Sequence, residues 1–524
     1  MGLPTSTTTS KPATTGTGTG TGTTPLNPKS SMEPSKDELD LVSSPTKSNN
    51  LNPTSLNDPW TAKFTSSSPE WHQTTEKTLL RKIDLHLLPF LILMYLLNFL
   101  DRSNLAQARQ GTLESDLGMS GTDFNLATSI FFVAYLLMQL PSNMLITRLR
   151  PSIYLSSAMA LWGAVSACNA ASQKFTHLLV VRICLGIVEA PFFPGAVFLM
   201  SSWYSRAELT KRMAYFYSGN ALANMFGGVI GAGVLGNLEG ARGEGTITVA
   251  VAVAAAFVLP DYPNTTRWLS EEERAYASWR LLADINESDD QNSRSVWDGL
   301  KLALRDYRLY LFVLLQHLSL LSQTFQYFFP SIVGTLGYGT IETLWLTAPV
   351  WFATFLISVC VTWTSSKTGD RSLHIFFLML LAAVGNAVAT GTTKVGARFF
   401  AMFLMPMGAV SSYQIILSWV ANSFPRPMVK RSAAVAIANM FGNTASIYGS
   451  YMYPASAAPQ YIPGGSANSV ICLFVGLLAL FLRYLHKWEN KKLERAEAEE
   501  AENPETAAVA ASGDRRAAGF RYIY

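Results

Sequence analysis

Cysteine and histidine are scarce in this chain, at four and six of 524 residues. The cysteines, Cys168, Cys184, Cys360 and Cys472, stand far apart inside apolar stretches. They therefore form neither a disulfide framework nor the close spacing of a metal site, and read as small packing residues. Charge is scarce too, with Asp, Glu, Lys and Arg making up 15% of the chain against about 25% in soluble globular proteins. A formal net charge of +4 is too small to point to nucleic acid. A cleavable leader is not expected, because the first apolar run begins near Ile83, far from the N-terminus. Neither a metal-ligand cluster nor a nucleophile beside a base is visible, so the sequence gives no reason to expect an enzyme or a cofactor.

What the chain has is apolar length: 49% of it is hydrophobic, in blocks near the ~20 residues that a helix needs to cross hydrocarbon. Twelve spans are predicted. The first six cover 83–100, 124–146, 152–172, 176–200, 213–236 and 246–259, and the second six cover 309–334, 343–363, 373–391, 398–421, 432–453 and 466–485. The expected division is a disordered tail at 1–78, a six-helix half at 79–260, a polar connector at 261–308, a second half at 309–488 and a charged tail at 489–524. The first tail is rich in Thr, Ser, Gly and Pro, which cannot bury enough apolar surface to offset the entropy of ordering. In the connector, Ser270 followed by Glu271-Glu272-Glu273 reads as a capped helix start.

Lys and Arg set the orientation. Arg148/Arg150, Arg206/Lys211/Arg212, Lys367/Arg371 and Arg426/Lys430/Arg431 fall in loops on one side, as does the connector. That side is expected to be cytosolic, with both tails on it, in a multi-pass plasma-membrane protein that is a monomer. Span 6 is short: about 14 residues make ~21 Å of helix, against a ~30 Å core. A piece of sequence missing near Gly243-Glu244-Gly245 would explain it. Ala223-Asn224-Met225-Phe226-Gly227 in span 5 returns as Ala438-Asn439-Met440-Phe441-Gly442 in span 11. Spans 5 and 11 are equivalent if the two halves are parallel repeats.

Four charges stand within this apolar sequence. Arg182 and Glu189 are seven residues apart in span 4, on one helix face and about 10 Å apart along its axis. Asp101-Arg102 closes span 1. Such charges cost at least ~2.5 kcal/mol each at membrane depth, and usually face a cavity or a partner on a substrate or ion path. The alternative is that they neutralise one another and only lock helices. Pro191, Pro194 and Gly195 bend span 4 just beyond Glu189. In the second half Gln316, His317, Tyr413, Gln414, Asn439 and Asn443 are polar candidates that interhelical hydrogen bonding explains equally well. Trp203 and Tyr204 read as interfacial anchors, and Gly219, Gly227, Gly228 and Gly231 as points of close helix approach.

Several segments taken in order resemble the anion:cation symporter branch of the major facilitator superfamily, and within it the fungal allantoate permease group, most nearly its nicotinate-permease-like members. They are Leu100-Asp101-Arg102-Ser103-Asn104, Arg182 to Ala190 with Pro194-Gly195, Trp268 to Glu273, Phe329 to Val333 with Leu336-Gly337-Tyr338, Leu346 to Pro349, and Gly442-Asn443 with Tyr453-Pro454. The resemblance implies an all-α membrane protein of twelve helices in two pseudo-symmetric halves. It also implies a proton-coupled importer of a small organic anion such as nicotinate, allantoate, pantothenate or biotin. By that resemblance Arg102 and Arg182 would bind the anion and Asp101 and Glu189 would carry protons; of the polar candidates in the second half, Gln414 and Asn443 are expected as further substrate contacts. A nutrient sensor that moves nothing, built on the same scaffold, is the rival reading. The chain departs from the family pattern in its short span 6, in Phe99 where Tyr is common, and in Thr147-Arg148-Leu149-Arg150 where a Gly-Asp-Arg loop is usual.

Overall fold

The computed structural model describes residues 59–146, 149–237, 251–255, 258–266, 268–286, 296–424, 428–502 and 521–524. Their helices are α1 (Pro59–Ser66), α2 (Pro69–Ala108), α3 (Asp123–Ile146), α4 (Pro151–Ala167), α5 (Phe175–Glu189), α6 (Phe192–Ser201) and α7 (Arg206–Asn237). The connector holds α8 (Glu271–Asn286) and α9 (Val296–Leu304). Beyond it run α10 (Tyr307–Ser322), α11 (Phe329–Gly334), α12 (Thr340–Thr368), α13 (Ser372–Gly391), α14 (Val395–Ser423), α15 (Met428–Asn443), α16 (Ala445–Gly449) and α17 (Ile462–Glu502). Among the described residues six stretches are long and apolar enough to cross a membrane: α2, α5 with α6, α12, α13, α14 and α17. No strand occurs among the described residues.

Most predicted spans coincide with these helices to within a few residues. Span 4 breaks at Ala190-Pro191, where proline ends α5 and α6 takes over. Span 7 breaks after Ser322 into a 3-10 stretch, Thr324–Phe328, before α11. Half of span 6, with Gly243-Glu244-Gly245, lies outside the described residues, as do Thr147 and Arg148.

Among the described residues helix is already present at Pro59–Ser66, ahead of the predicted boundary at 79. The reason is aromatic: the Phe64 ring lies 5.9 Å from Trp60, 5.9 Å from Trp71 and 5.3 Å from Tyr276 of α8. Lys63 and Lys82 pair with Glu272 and Glu273 of α8. The start of α8 forms the expected reciprocal cap: Ser270 Oγ accepts from the Glu273 backbone N–H at 3.2 Å, and Glu273 Oε2 from that of Ser270 at 3.0 Å.

Trp203 and Tyr204 are corrected from interfacial anchors to buried residues. Trp203 stacks on Trp268, and Tyr204 donates to Asp84, which also takes two bonds from Arg212 at 2.7 and 2.8 Å. Arg280 bonds Glu208 and the Trp203 carbonyl. This network ties α2, α7 and α8 together at the end of the bundle nearest α1, here the basal end. Three of the four cysteines point outward, and only Cys472 is packed inside.

The glycines of α7 behave as expected. A Cβ on Gly227 would stand 3.0 Å from Ser103 Oγ of α2, and one on Gly228 would stand 3.0 Å from the Leu344 carbonyl of α12. Both repeats of the pentapeptide lie in helices that share a further habit. Asn224 donates to the Asn220 carbonyl in α7 as Asn443 donates to that of Asn439 in α15.

Candidate functional site

Tyr95, Asn98, Phe99 and Arg102 fall at helical spacing on α2, so they form one stripe along the helix, and all four line a central cavity. Across it, Gln323, Gln326 and Tyr327 come from the broken stretch after α10, Tyr413 and Gln414 from α14, and Asn439 and Asn443 from α15. The wall is polar amide and aromatic, with five tyrosines: 95, 135, 217, 327 and 413. Among the described residues Arg102 is its one charged residue. The guanidinium carbon lies 5.3, 5.1 and 4.9 Å from the rings of Phe99, Phe131 and Tyr135, an aromatic collar that favours a cation.

Arg102 Nε donates to Glu189 Oε2 at 2.6 Å. Glu189 is fully buried, and its other oxygen, Oε1, has no hydrogen-bond partner among the described residues. The sequence neighbours are thus not the structural partners. Asp101, one residue from Arg102, accepts from Ser166 of α4 at 2.8 Å. Because α2 runs on to Ala108, Asp101 and Arg102 sit inside the helix rather than at its end. Arg182 is buried beside a second, smaller cavity, and its Nε has no partner among the described residues. Arg102, Phe132 and Tyr327 line both cavities and form the partition between them. The four intramembrane charges therefore do not share one chamber. Arg102 reaches both cavities, Arg182 the second alone, while Asp101 and Glu189 sit behind the walls.

Gln414 and Asn443 both face the central cavity. Gln414 accepts a long 3.4 Å bond from Thr362, and its Nε2 is buried without a partner among the described residues. A donor of that kind can meet a ligand atom or a water. His317 lies outside both linings and is satisfied by the Phe441 carbonyl and the Tyr448 hydroxyl. The tyrosines other than Tyr413, and Asn98, Asn220, Gln323 and Gln326, were not singled out from sequence. The stripe through Tyr95, Asn98, Phe99 and Arg102 is the one signal that could have found some of them.

Hydrogen bonds joining the halves cluster at the end opposite the basal one. Gln110 donates to Ser331 Oγ at 2.9 Å, Ser129 to the Ile447 carbonyl at 2.5 Å, and Asn125 to the Ser450 carbonyl. Phe132 packs on Tyr327 with ring centroids 5.4 Å apart. The cavity is thus roofed on its distal side. Among the described residues no group of His, Cys, Asp and Glu could hold a metal ion.

The sequence profile of the Major Facilitator Superfamily matches residues 91–450. An MFS-type transporter of Penicillium expansum, cnsO, is 34% identical over 444 residues, covering 80% of this chain and 85% of that one. The major facilitator-type transporter hxnP of Emericella nidulans is 31% identical, covering 80% and 88%. The high-affinity nicotinic acid transporter of Saccharomyces cerevisiae is 26% identical, covering 80% and 79%. Among solved structures, a bacterial homolog of the human lysosomal transporter Spinster in an inward-facing, unoccupied conformation superposes with a TM-score of 0.54 at 15% identity, covering 76% of this chain and 94% of that one. The profile match and these relatives agree with a helical bundle built around a cavity, and the chain belongs to the major facilitator superfamily of membrane transporters.

Proposed function

We propose that this chain is a proton-coupled importer of a small organic monocarboxylate, of the anion:cation symporter branch and its allantoate permease group. The observation that carries the reading is the Arg102–Glu189 pair, in which the one cation on the cavity wall is held by a fully buried acid. An arginine fork matches a carboxylate in two hydrogen bonds. A proton on Glu189 Oε1 removes the charge that Arg102 faces and frees the guanidinium for a substrate carboxylate. Gln414 Nε2 and Asn443 would meet the other end of the substrate. Asp101 is the second candidate proton carrier, and Arg182 would receive the anion in the second cavity.

The tyrosine-rich wall favours a flat ring such as nicotinate over the flexible chains of pantothenate or biotin, because rings gain from stacked and edge contacts. The nicotinic acid transporter among the relatives supports the same choice. Coupling to protons has a plain energetic reason. A membrane negative inside opposes anion entry by ~2.3 kcal/mol per charge per 100 mV, and one accompanying proton cancels that term. In this reading the chain lies in the plasma membrane with both tails cytosolic. The halves at 79–260 and 309–488 rock about the cavity, and the distal roof is the closed outer gate. The sensor alternative draws no support from relatives that are named as transporters.

The test is uptake of labelled nicotinate, allantoate, pantothenate and biotin by yeast lacking its own permeases, at external pH 4.5 to 7.5. Accumulation of one of them, nicotinate foremost, that rises as external pH falls supports the reading. Uptake of none, or uptake indifferent to pH, contradicts it.

A further inference from the structure

The sequence predicts residues 489–524 to be a free charged tail. Instead α17 continues to Glu502, and Arg521-Tyr522-Ile523-Tyr524 lies against the basal end of the second half. The contacts are those of a built receptor. Asn490 of α17 holds Tyr522 in both directions: its Nδ2 donates to the Tyr522 carbonyl at 2.9 Å, and its Oδ1 accepts from the Tyr522 backbone N–H at 2.8 Å. The Ile523 carbonyl accepts from Trp419 Nε1 of α14 and from His486 Nδ1 of α17, each at 2.9 Å. The Tyr524 carbonyl accepts from the Arg371 backbone N–H, just ahead of α13, at 2.8 Å. Three successive carbonyls thus each find a donor, from α17, α14 and the start of α13.

The side chains add to this. Tyr522 is buried, with its ring 4.5 Å from the guanidinium carbon of Arg308 and 5.1 Å from the His486 ring. Tyr524 is faced by Arg483 and Lys487 at 5.0 and 5.2 Å. Arg521 reaches Glu497 at 2.6 Å. Trp419 and His486 are themselves fully buried. Without the segment, their ring N–H groups would be left without these acceptors, at the desolvation cost of unmade hydrogen bonds.

We infer that the basal end of the second half is a peptide-binding site, and that its ligand is this chain's own extended segment 521–524. The site reads backbone carbonyls through Asn490, Trp419, His486 and the Arg371 N–H, and selects aromatic side chains through Arg308, Arg483 and Lys487. Its occupation ties α10, α13, α14 and α17 together at one end. It rests on none of the transport chemistry proposed above.

The experiment uses the whole chain and a version shortened by residues 521–524, both purified in detergent. The probe is a fluorescent, C-terminally amidated Arg-Tyr-Ile-Tyr peptide. The shortened chain should bind it saturably, at least tenfold more tightly than the whole chain, whose site is filled. Unlabelled peptide should displace it and Arg-Ala-Ile-Ala should not. Asn490→Ala in the shortened chain should abolish binding. The shortened chain should also melt roughly 5 °C lower, and excess peptide should restore the difference. Tyr522→Ala in the whole chain, which keeps the rest of the segment, should open the site to the peptide as well. Absence of saturable binding to the shortened and Tyr522→Ala chains alike would overturn the inference, and so would equal binding by the whole chain or binding indifferent to Asn490.

Discussion

Arg102 and Glu189, 87 positions apart in the chain, meet through a 2.6 Å bond between α2 and the last residue of α5. The pair places a buried acid directly behind a charged residue of the central cavity. Lysine in place of Arg102 keeps the charge but loses the fork and its seat among Phe99, Phe131 and Tyr135. Arg102→Lys should therefore raise the KM for the transported anion about tenfold or more, with protein abundance unchanged. Uptake kinetics with abundance measured in parallel check this.

The aromatic wall makes a separate prediction. Tyr413 stands on α14 facing Tyr217 of α7, with ring centroids 6.3 Å apart across the halves. Tyr413→Leu should weaken a ring-bearing carboxylate about three- to tenfold, the worth of one aromatic contact. An aliphatic monocarboxylate of similar size should be much less affected. Competition against labelled substrate by members of the two series measures the difference.

Helix approach in α7 can be tested with its own control. A methyl on Gly228 would collide with Thr347 Oγ1 and stand 3.0 Å from the Leu344 carbonyl, whereas one on Gly233 would meet nothing within 4 Å. Gly228→Ala should destabilise by about 1–3 kcal/mol and lower the melting temperature. Gly233→Ala should leave it unchanged or raise it slightly, since alanine favours helix. Thermal melts of the two variants in one detergent decide the matter.

Asp306 supplies the pH prediction, at the connector's junction with α10. Burial pushes its carboxyl up, but bonds from Arg308 and Lys430 outweigh this and hold it at about 2, below its ordinary value of 3.8. A folded pKa below the unfolded one gives stability that is present above pH 4 and fades as pH falls toward 2. The contribution of Asp306 should therefore be constant between pH 5 and 8. Asp306→Asn should lose roughly 2 kcal/mol across that whole range. Melting curves of both forms from pH 3 to 8 should converge only at the acid end.

These contrasts explain which features sequence could reveal. Span positions were legible because apolar length and basic loops follow from the bilayer, and the Ser270 cap because it is local. The partner of Arg102 was not, because pairing across helices depends on rotation about each axis. Asp101 turns toward Ser166 of α4 although it adjoins Arg102 in sequence. Trp203 looked like an anchor because an aromatic at a span end has the same sequence whether it meets lipid or another tryptophan. The tyrosines of the cavity were invisible for a similar reason, since in an apolar run a wall residue and a core residue read alike. Phe64 and Tyr522 were hidden by their polar surroundings, because composition averages over a segment in which one or two aromatic residues do the docking.

The most direct test of the account is Glu189→Gln in reconstituted vesicles, comparing substrate exchange with accumulation driven by a pH gradient. The account predicts exchange within about threefold of the parent protein, because Gln leaves Arg102 free to bind, together with loss of accumulation at every gradient. Accumulation that still follows the imposed gradient in this variant would contradict it.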